Sequence, residues 1–539
     1  MQLEALDVTI RNYITEQIKK TETAYEERIK ELQNNYEKII KEYEFKNLEL
    51  KEENNLLLYK RFGRSAEQLL ADEKQLFLFT EENKSITSDK VTTQEISEVR
   101  SYKRKKKCGR KAIDPKLPRE ERIIDIPEEE KICKCGAHLT RIGEESSEKL
   151  HILPPRIIVE KIIRPKYACQ CCEGTESEGK PSVRIAPVEP SIIPRSIVSP
   201  SLLSTIIIQK YEDHLPFYRQ EKQFKRIWVT ISRQDMSNWQ QKAYTKLKPL
   251  FVLFKETIKS GPIIQMDETP VQVMGEEGRE DTQKSYMWLS RGGPPGKTVV
   301  LYEYRRTRAG EHAKKLLEGY SGYLQTDGYD GYDSAVKGMP GIIHAGCFAH
   351  VRRRFYEAEK ISGQDSAARE GLEFIRKLYQ IEKELRDEKT EKNTSEEKFQ
   401  KERKVLVLPI LNDFKIWLLN HGEGVVPPTL LLGKAVSYTL NQWDKLVRYL
   451  DSPYLTPDTN AAENAIRPFA VGRKSWLFNK SPDGADSSCG MYSLIETAKQ
   501  NGLVPWNYLL ELFEKAPLAS TLEDWKKLLP WDEHFYRKN

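Results

Sequence analysis

A carboxylate inside an apolar run is the feature that most narrows the folds open to this chain. Asp267 stands within PIIQMDETPVQVM (262–274), where alternation and hydrophobicity predict a strand that carries the acid inward. Two further acids occupy comparable settings. Asp327 ends the strand-like GYLQTDGY (322–329), and Glu463 opens the helix-like AAENAIRPF (461–469). Two strands and a helix would aim three carboxylates into one cleft. Mg²⁺ and Mn²⁺ prefer such oxygen ligands and keep positions open for substrate phosphate, so the arrangement predicts phosphoryl transfer.

Spacing alone does not select this triple, because the chain holds 81 Asp and Glu residues. Asp267 could instead form a strand-end turn. Asp330 and Asp333 rival Asp327, but their Gly- and Tyr-rich turn reads better as the cap of a following helix. Glu463 could be a solvated helix-face charge. The basic residues nearby fit phosphate chemistry: Arg467 lies one helical turn beyond Glu463, and Arg473 and Lys474 follow. Paired ions about 3.5–4 Å apart activate an attacking oxygen and stabilise a leaving one, so one site serves both hydrolysis and strand joining.

The segments DETP (267–270), LQTDGYDGY (324–332), GCFAHVRRRF (346–355), AENAIRPFAVGRKSWLF (462–478) and YSLIETAKQNGLVPW (492–506) together resemble the insertion-sequence-66 family of DDE transposases. The resemblance extends to RFGRSAEQL (61–69), QLFLF (75–79), RPKYACQCC (164–172) and KYEDHLPFYRQE (210–221), and so covers nearly the whole chain. It implies a multidomain α+β protein with a ribonuclease-H-like α/β/α catalytic domain. The family's metal-holding Asp, Asp and Glu map onto Asp267, Asp327 and Glu463, which would hold two Mg²⁺ or Mn²⁺ ions. The implied activity is binding of the terminal inverted repeats of the element, cleavage at its ends, and joining of the 3′-hydroxyls to target DNA. Double-stranded DNA, a second copy of the chain and two small accessory proteins are the implied partners, in a bacterial cytoplasm at the nucleoid. Where many relatives have Arg after the Glu, this chain has Asn464. A catalytically silent DNA-binding regulator of the same fold is the alternative.

Residues 1–62 read as a charged helix with a seven-residue seam: Ile29, Tyr36, Tyr43, Leu50 and Leu57 in one row, Tyr25, Leu32 and Ile39 in the other. Such a seam predicts a dimerising coiled coil. Residues 63–111 form a linker whose end, RSYKRKKKCGRK (100–111), carries eight Lys or Arg and no acid. Lys103, Arg104, Lys105, Lys106, Lys107, Arg110 and Lys111 are therefore candidate DNA contacts.

Five of the eight cysteines fall between 133 and 172, which points to metal rather than a disulfide framework. Cys133, Cys135, Cys169 and Cys172, facing one another across the strand-like 151–169, are the expected structural Zn²⁺ ligands of a domain at 112–190. Cys171, His138 and His151 are alternatives, and the first pair has one intervening residue where the family more often has two.

Residues 191–258 look helical, with a helix-turn-helix pattern at 221–244 that would present Arg233 and Gln234 to bases. The catalytic domain is assigned to 259–360 and 451–500, interrupted by an all-helical insertion at 361–450, with a helical element at 501–539. His344, Cys347 and His350 are metal-ligand types, yet the segment is read as structural: Cys347 buried, and Arg352, Arg353 and Arg354 facing DNA or the insertion.

At 539 residues several cores are expected, and a net charge of +6 is too small to argue for a polyanion by itself. The start lacks the basic and apolar regions of a secretion signal, and the longest apolar stretches are broken by Pro200 and Pro409. A soluble cytoplasmic protein without a membrane span is expected.

Overall fold

Strand β3 (Ile263–Val273) organises the larger of two compact units, residues 1–80 and 189–539. The computed structural model describes residues 2–62, 157–168, 183–362, 366–422 and 425–536. β3 pairs antiparallel with β4 (Lys284–Gly292), which pairs antiparallel with β5 (Val299–Arg305). On its other side β3 pairs parallel with β6 (Gly322–Gln325), and β6 with β7 (Ile342–Ala345). The sheet order is β5-β4-β3-β6-β7, and the short β8 (Phe478–Asn479) joins the far end of β3. The result is a mixed sheet within a mainly helical α+β protein.

Helix α1 (Gln2–Phe62) and helices α2 (Pro200–Tyr211), α3 (Phe217–Arg226), α4 (Arg233–Lys246) and α5 (Lys248–Ser260) precede β3. Ser232 starts α4 with the expected capping box, exchanging hydrogen bonds with Asp235. The seam residues Tyr25, Ile29, Leu32, Tyr36, Ile39 and Tyr43 of α1 are exposed in the single chain. Near its end, α1 meets the fold: Leu431 N donates to Glu52 Oε1 at 2.9 Å and Asn55 Nδ2 to the Ile361 carbonyl at 3.2 Å.

Helix α6 (Gly310–Leu317) links β5 to β6, and α7 (Asp330–Val336) links β6 to β7. Four helices follow: α8 (Phe348–Ser362), α9 (Ala367–Lys392), α10 (Glu396–Asn420) and α11 (Leu431–Leu446). They close around their own core of Phe348, Phe355, Ile375, Leu378, Leu411 and Phe414. α10 continues through Pro409. Pro409 and Val405, whose carbonyl loses its helical donor, are both exposed, so water can take that bond. Among the described residues no helix is long and apolar enough to cross a membrane.

The chain then returns to the sheet. Helix α12 (Asn460–Trp476) packs on β3, and α13 (Pro482–Gln500) lies along β5. α13 is buried without interruption from Ser487 to Ala498. Its hydroxyls satisfy the outer edge of β5: Val300 N donates to Thr497 Oγ1 at 3.1 Å and Tyr302 N to Ser493 Oγ at 2.8 Å. An edge that could recruit another chain is thereby closed. At Gly490 an added Cβ would sit 2.4 Å from the Tyr244 ring, so the residue type sets how closely α4 and α13 approach. α14 (Pro505–Lys515) packs against α2 and α13.

The second unit, residues 81–188, contains a short antiparallel pair, β1 (Lys166–Ala168) and β2 (Val183–Ile185). Within the described part of the long strand expected at 151–169, Lys166–Ala168 is a strand and 157–165 has no regular structure. Cys133, Cys135, Cys169 and Cys172, and the basic run from Lys103 to Lys111, lie outside the described residues.

Candidate active site

Asp267 is the fifth residue of β3, and its neighbours on the strand alternate between the sheet's two faces. Its Oδ1 accepts from Glu268 N at 2.8 Å. Burial first, and then the negative charges of Glu268, Glu463 and Asp327, push the Asp267 carboxyl up to about 8. Three acids from distant parts of the chain thus share one electrostatic environment.

Glu268 points to other partners. Arg308 Nε donates to its Oε1 at 2.5 Å and the Tyr332 hydroxyl to its Oε2, while the Arg308 guanidinium stacks 3.9 Å from the Tyr329 ring centroid. Burial raises the Glu268 carboxyl despite these donors. Its oxygens are satisfied by protein.

Asp327 follows β6 by two residues rather than ending it, because the parallel strand is only Gly322–Gln325. A buried frame holds that turn. Gln265 Nε2 donates to Gln325 Oε1 at 2.9 Å, and Gln325 Nε2 donates to the Thr456 carbonyl at 2.7 Å. Thr326 Oγ1 bonds His344 Nε2 at 2.8 Å, and His344 Nδ1 bonds Asp333 Oδ1 at 2.9 Å. Asp327 itself accepts from Tyr329 N through Oδ1 at 3.1 Å. Asp333 also receives Lys445 Nζ at 2.6 Å, and His344 and Lys445 pull its carboxyl down to about 2. Asp333 and Asp330 lie in the first turn of α7, and Asp333 is committed to the frame.

Glu463 sits in the first turn of α12. Its start is fixed by Asp458, which accepts from Asn460 N at 3.0 Å, and by Thr459, whose N donates to Cys347 Sγ at 3.3 Å. Glu463 Oε2 lies 3.5 Å from Arg353 Nη2, and Oε1 lies 3.7 Å from His350 Nδ1. Both Oε1 and that ring nitrogen are buried without a hydrogen-bond partner. Buried polar atoms are rarely left so. The orphaned atoms of Glu463 and His350 lie with Cys347 Sγ in a group that could hold a divalent cation.

His344 and His350 are separated by the fold: the first belongs to the Asp333 frame, the second faces Glu463. His350, Cys347 and Glu463 present ligand atoms within 4.8 Å of one another, a grouping that differs from the structural role read for His350 in the sequence. Its partner lies far along the chain, and only the Cys347-x-x-His350 spacing at a helix start hinted at it. Cys347 is buried as expected, and its thiol is pushed up to about 12 by burial. Asp458, Glu268 and Arg308 were not singled out, having no distinctive spacing.

The basic residues divide. Arg473 Nη1 donates to Thr269 Oγ1 at 2.9 Å and to the Pro270 carbonyl, bracing α12 on β3. Arg467 and Lys474 are exposed on α12. Arg353 is exposed at the rim of Glu463, Arg352 is half-buried, and Arg354 lies over the Tyr438 ring at 4.1 Å. Arg233 and Gln234 are exposed at the start of α4, where Gln234 Nε2 donates to Asn238 Oδ1 at 2.9 Å.

Comparison with known proteins matches residues 195–487 to the family model "Transposase IS66 family". Residues 130–173 match the zinc-finger binding domain of that transposase, 493–531 its C-terminal element, and 49–122 the model "Transposase C of IS166 homeodomain". The zinc-finger match spans all four cysteines read as ligands and supports a structural Zn²⁺. Curated relatives from Sinorhizobium fredii (strain NBRC 101917 / NGR234) include the uncharacterized protein y4jD, 30% identical over 77% of this chain and 80% of its own length. The uncharacterized protein y4hP is 28% identical over 83% of this chain and 81% of its own. With one family model spanning more than half of its length and three others flanking that match, the chain belongs to the IS66 transposase family.

Proposed function

We propose that the protein is a DDE transposase that binds the terminal inverted repeats of its element, hydrolyses the phosphodiester at each end, and joins the freed 3′-hydroxyls to target DNA. The observation that carries this reading is that the charges of Asp327, in the turn after β6, and of Glu463, in the first turn of α12, both act on the buried carboxyl of Asp267 on β3. The sheet supports a ribonuclease-H-like assignment: the antiparallel run β5-β4 on one side of β3, two parallel strands on the other, and helices packed on it.

Asp267, Asp327 and Glu463 would hold Mg²⁺ or Mn²⁺. When bound, such ions activate the attacking oxygen and stabilise the leaving oxygen. The remaining work belongs to the protein. The Gln265–Gln325 frame fixes two of the carboxylates, and the Asp458 cap with the Arg473 brace fixes the third. Arg353, Arg467 and Lys474 are read as phosphate contacts, which position the duplex without reading its sequence. Cys133, Cys135, Cys169 and Cys172 are read as a closed structural zinc site. The exposed seam of α1 is read as the contact with a second copy, which would let two element ends be cut together.

A nuclease assay on DNA carrying the element's terminal repeats tests the reading. Wild type is expected to cut in Mg²⁺ or Mn²⁺, and Asp327→Ala to lose at least 100-fold. Equal activity in the two proteins removes the mechanism, and binding without cutting by wild type points to a silent regulator.

A further inference from the structure

Resting on the metal-dependent reading above, we infer that His350 Nδ1 is a nitrogen ligand to the same divalent cation that Glu463 holds. His350 Nδ1 and Glu463 Oε1 lie 3.7 Å apart, too far for a hydrogen bond, and neither atom has another partner. Two ligands each about 2.1 Å from one ion are separated by about 3 Å at a right angle and about 4 Å when opposed. The observed gap falls between these.

The fold aims both side chains at this point. β7 runs directly into α8, which puts His350 in the first turn of that helix. The start of α12 is tied to the same place by Thr459, whose N and Oγ1 donate to Cys347 Sγ at 3.3 and 3.2 Å. Those two bonds occupy the sulfur, leaving Cys347 as a structural neighbour. Arg353 Nη2 takes the other carboxylate oxygen of Glu463 at 3.5 Å, which leaves Oε1 turned toward the imidazole.

A nitrogen donor changes the selectivity of an otherwise oxygen-lined site. Imidazole suits Mn²⁺ and later transition ions better than Mg²⁺, which demands oxygen ligands and gives up water reluctantly. The ring must be neutral with its proton on Nε2 to bind through Nδ1. Substitution should therefore weaken Mn²⁺ more than Mg²⁺.

The test is pulsed electron paramagnetic resonance on the full chain, loaded with zinc and then with Mn²⁺, using natural-abundance and ¹⁵N-histidine protein. The chain has 8 histidines, so His350→Gln identifies the source of any coupling. We expect directly bound histidine nitrogen in wild type, its loss in His350→Gln while Mn²⁺ stays bound, and Mn²⁺ affinity about 10-fold weaker. Mn²⁺ bound without nitrogen coupling, or with coupling that persists in His350→Gln, overturns the ligand while leaving the three carboxylates in place. Mn²⁺ stoichiometry identical in wild type and Asp327→Ala removes the metal centre itself, and the ligand with it. The wild-type isotope comparison holds even where His350→Gln folds poorly.

Discussion

Gln265 and Gln325 face each other across the parallel β3–β6 pair, joined side chain to side chain at 2.9 Å, each two residues before a carboxylate of the candidate site. In a strand two residues is one pleat repeat, so Gln265 and Asp267 share a face of the sheet. The amide pair therefore holds the register between the strand that carries Asp267 and the strand that leads to Asp327.

Gln325→Leu removes the donor to the Thr456 carbonyl and strands the Gln265 amide in a buried place. A loss of about 2 kcal/mol in chemical denaturation is expected, with cleavage falling more steeply than stability. A stability loss with unchanged turnover contradicts the positioning role.

The metal-free protein should show the Asp267 titration directly. Its folded value is about 8 against an ordinary 3.8, so the folded state keeps a proton that the unfolded state has released. The associated stability is full below about 3.8 and is lost as pH rises through about 8. Asp267→Asn should flatten that slope and be more stable than wild type at pH 8.5, on the order of 2 kcal/mol. Parallel stability curves for the two proteins from pH 5 to 8.5 would sink this account of the site.

Asp333 has the opposite sign and a different job. His344 and Lys445 hold its carboxyl near 2, so its contribution is present above the ordinary value of 3.8 and lost as pH falls toward 2. Asp333→Asn should cost about 1 kcal/mol, because the group is partly exposed, and should keep cleavage within several-fold of wild type. Cleavage as low as that of Asp327→Ala would reverse the assignment of the two aspartates.

The insertion contains a buried ion pair. Arg403 is fully buried, 3.3 Å from Glu382, and donates to the Leu455 carbonyl at 3.0 Å just ahead of α12. Arg403→Met leaves Glu382 buried with only Arg386 beside it, so a loss of about 3–4 kcal/mol is expected in denaturant titration. A loss below 1 kcal/mol would show that the pair is dispensable.

Local chemistry made some of this legible in the sequence. Ser232 and Asp235 announce a helix start within four residues, and Asp267 stands out because few acids interrupt an apolar strand. Boundaries were less legible: β6 stops before Asp327 because the turn, held by Thr326 and His344, begins as soon as the parallel pairing ends. His350 was hidden because its meaning depends on Glu463, brought near by a helical excursion that sequence spacing does not encode.

Anomalous diffraction from crystals soaked in Mn²⁺ would show where the protein holds its metal. Manganese peaks are expected within bonding distance of carboxylate oxygens of Asp267, Asp327 and Glu463, absent when Asp327 is replaced by Ala. Manganese elsewhere on the protein, with those three side chains unligated, would contradict a metal site built from them.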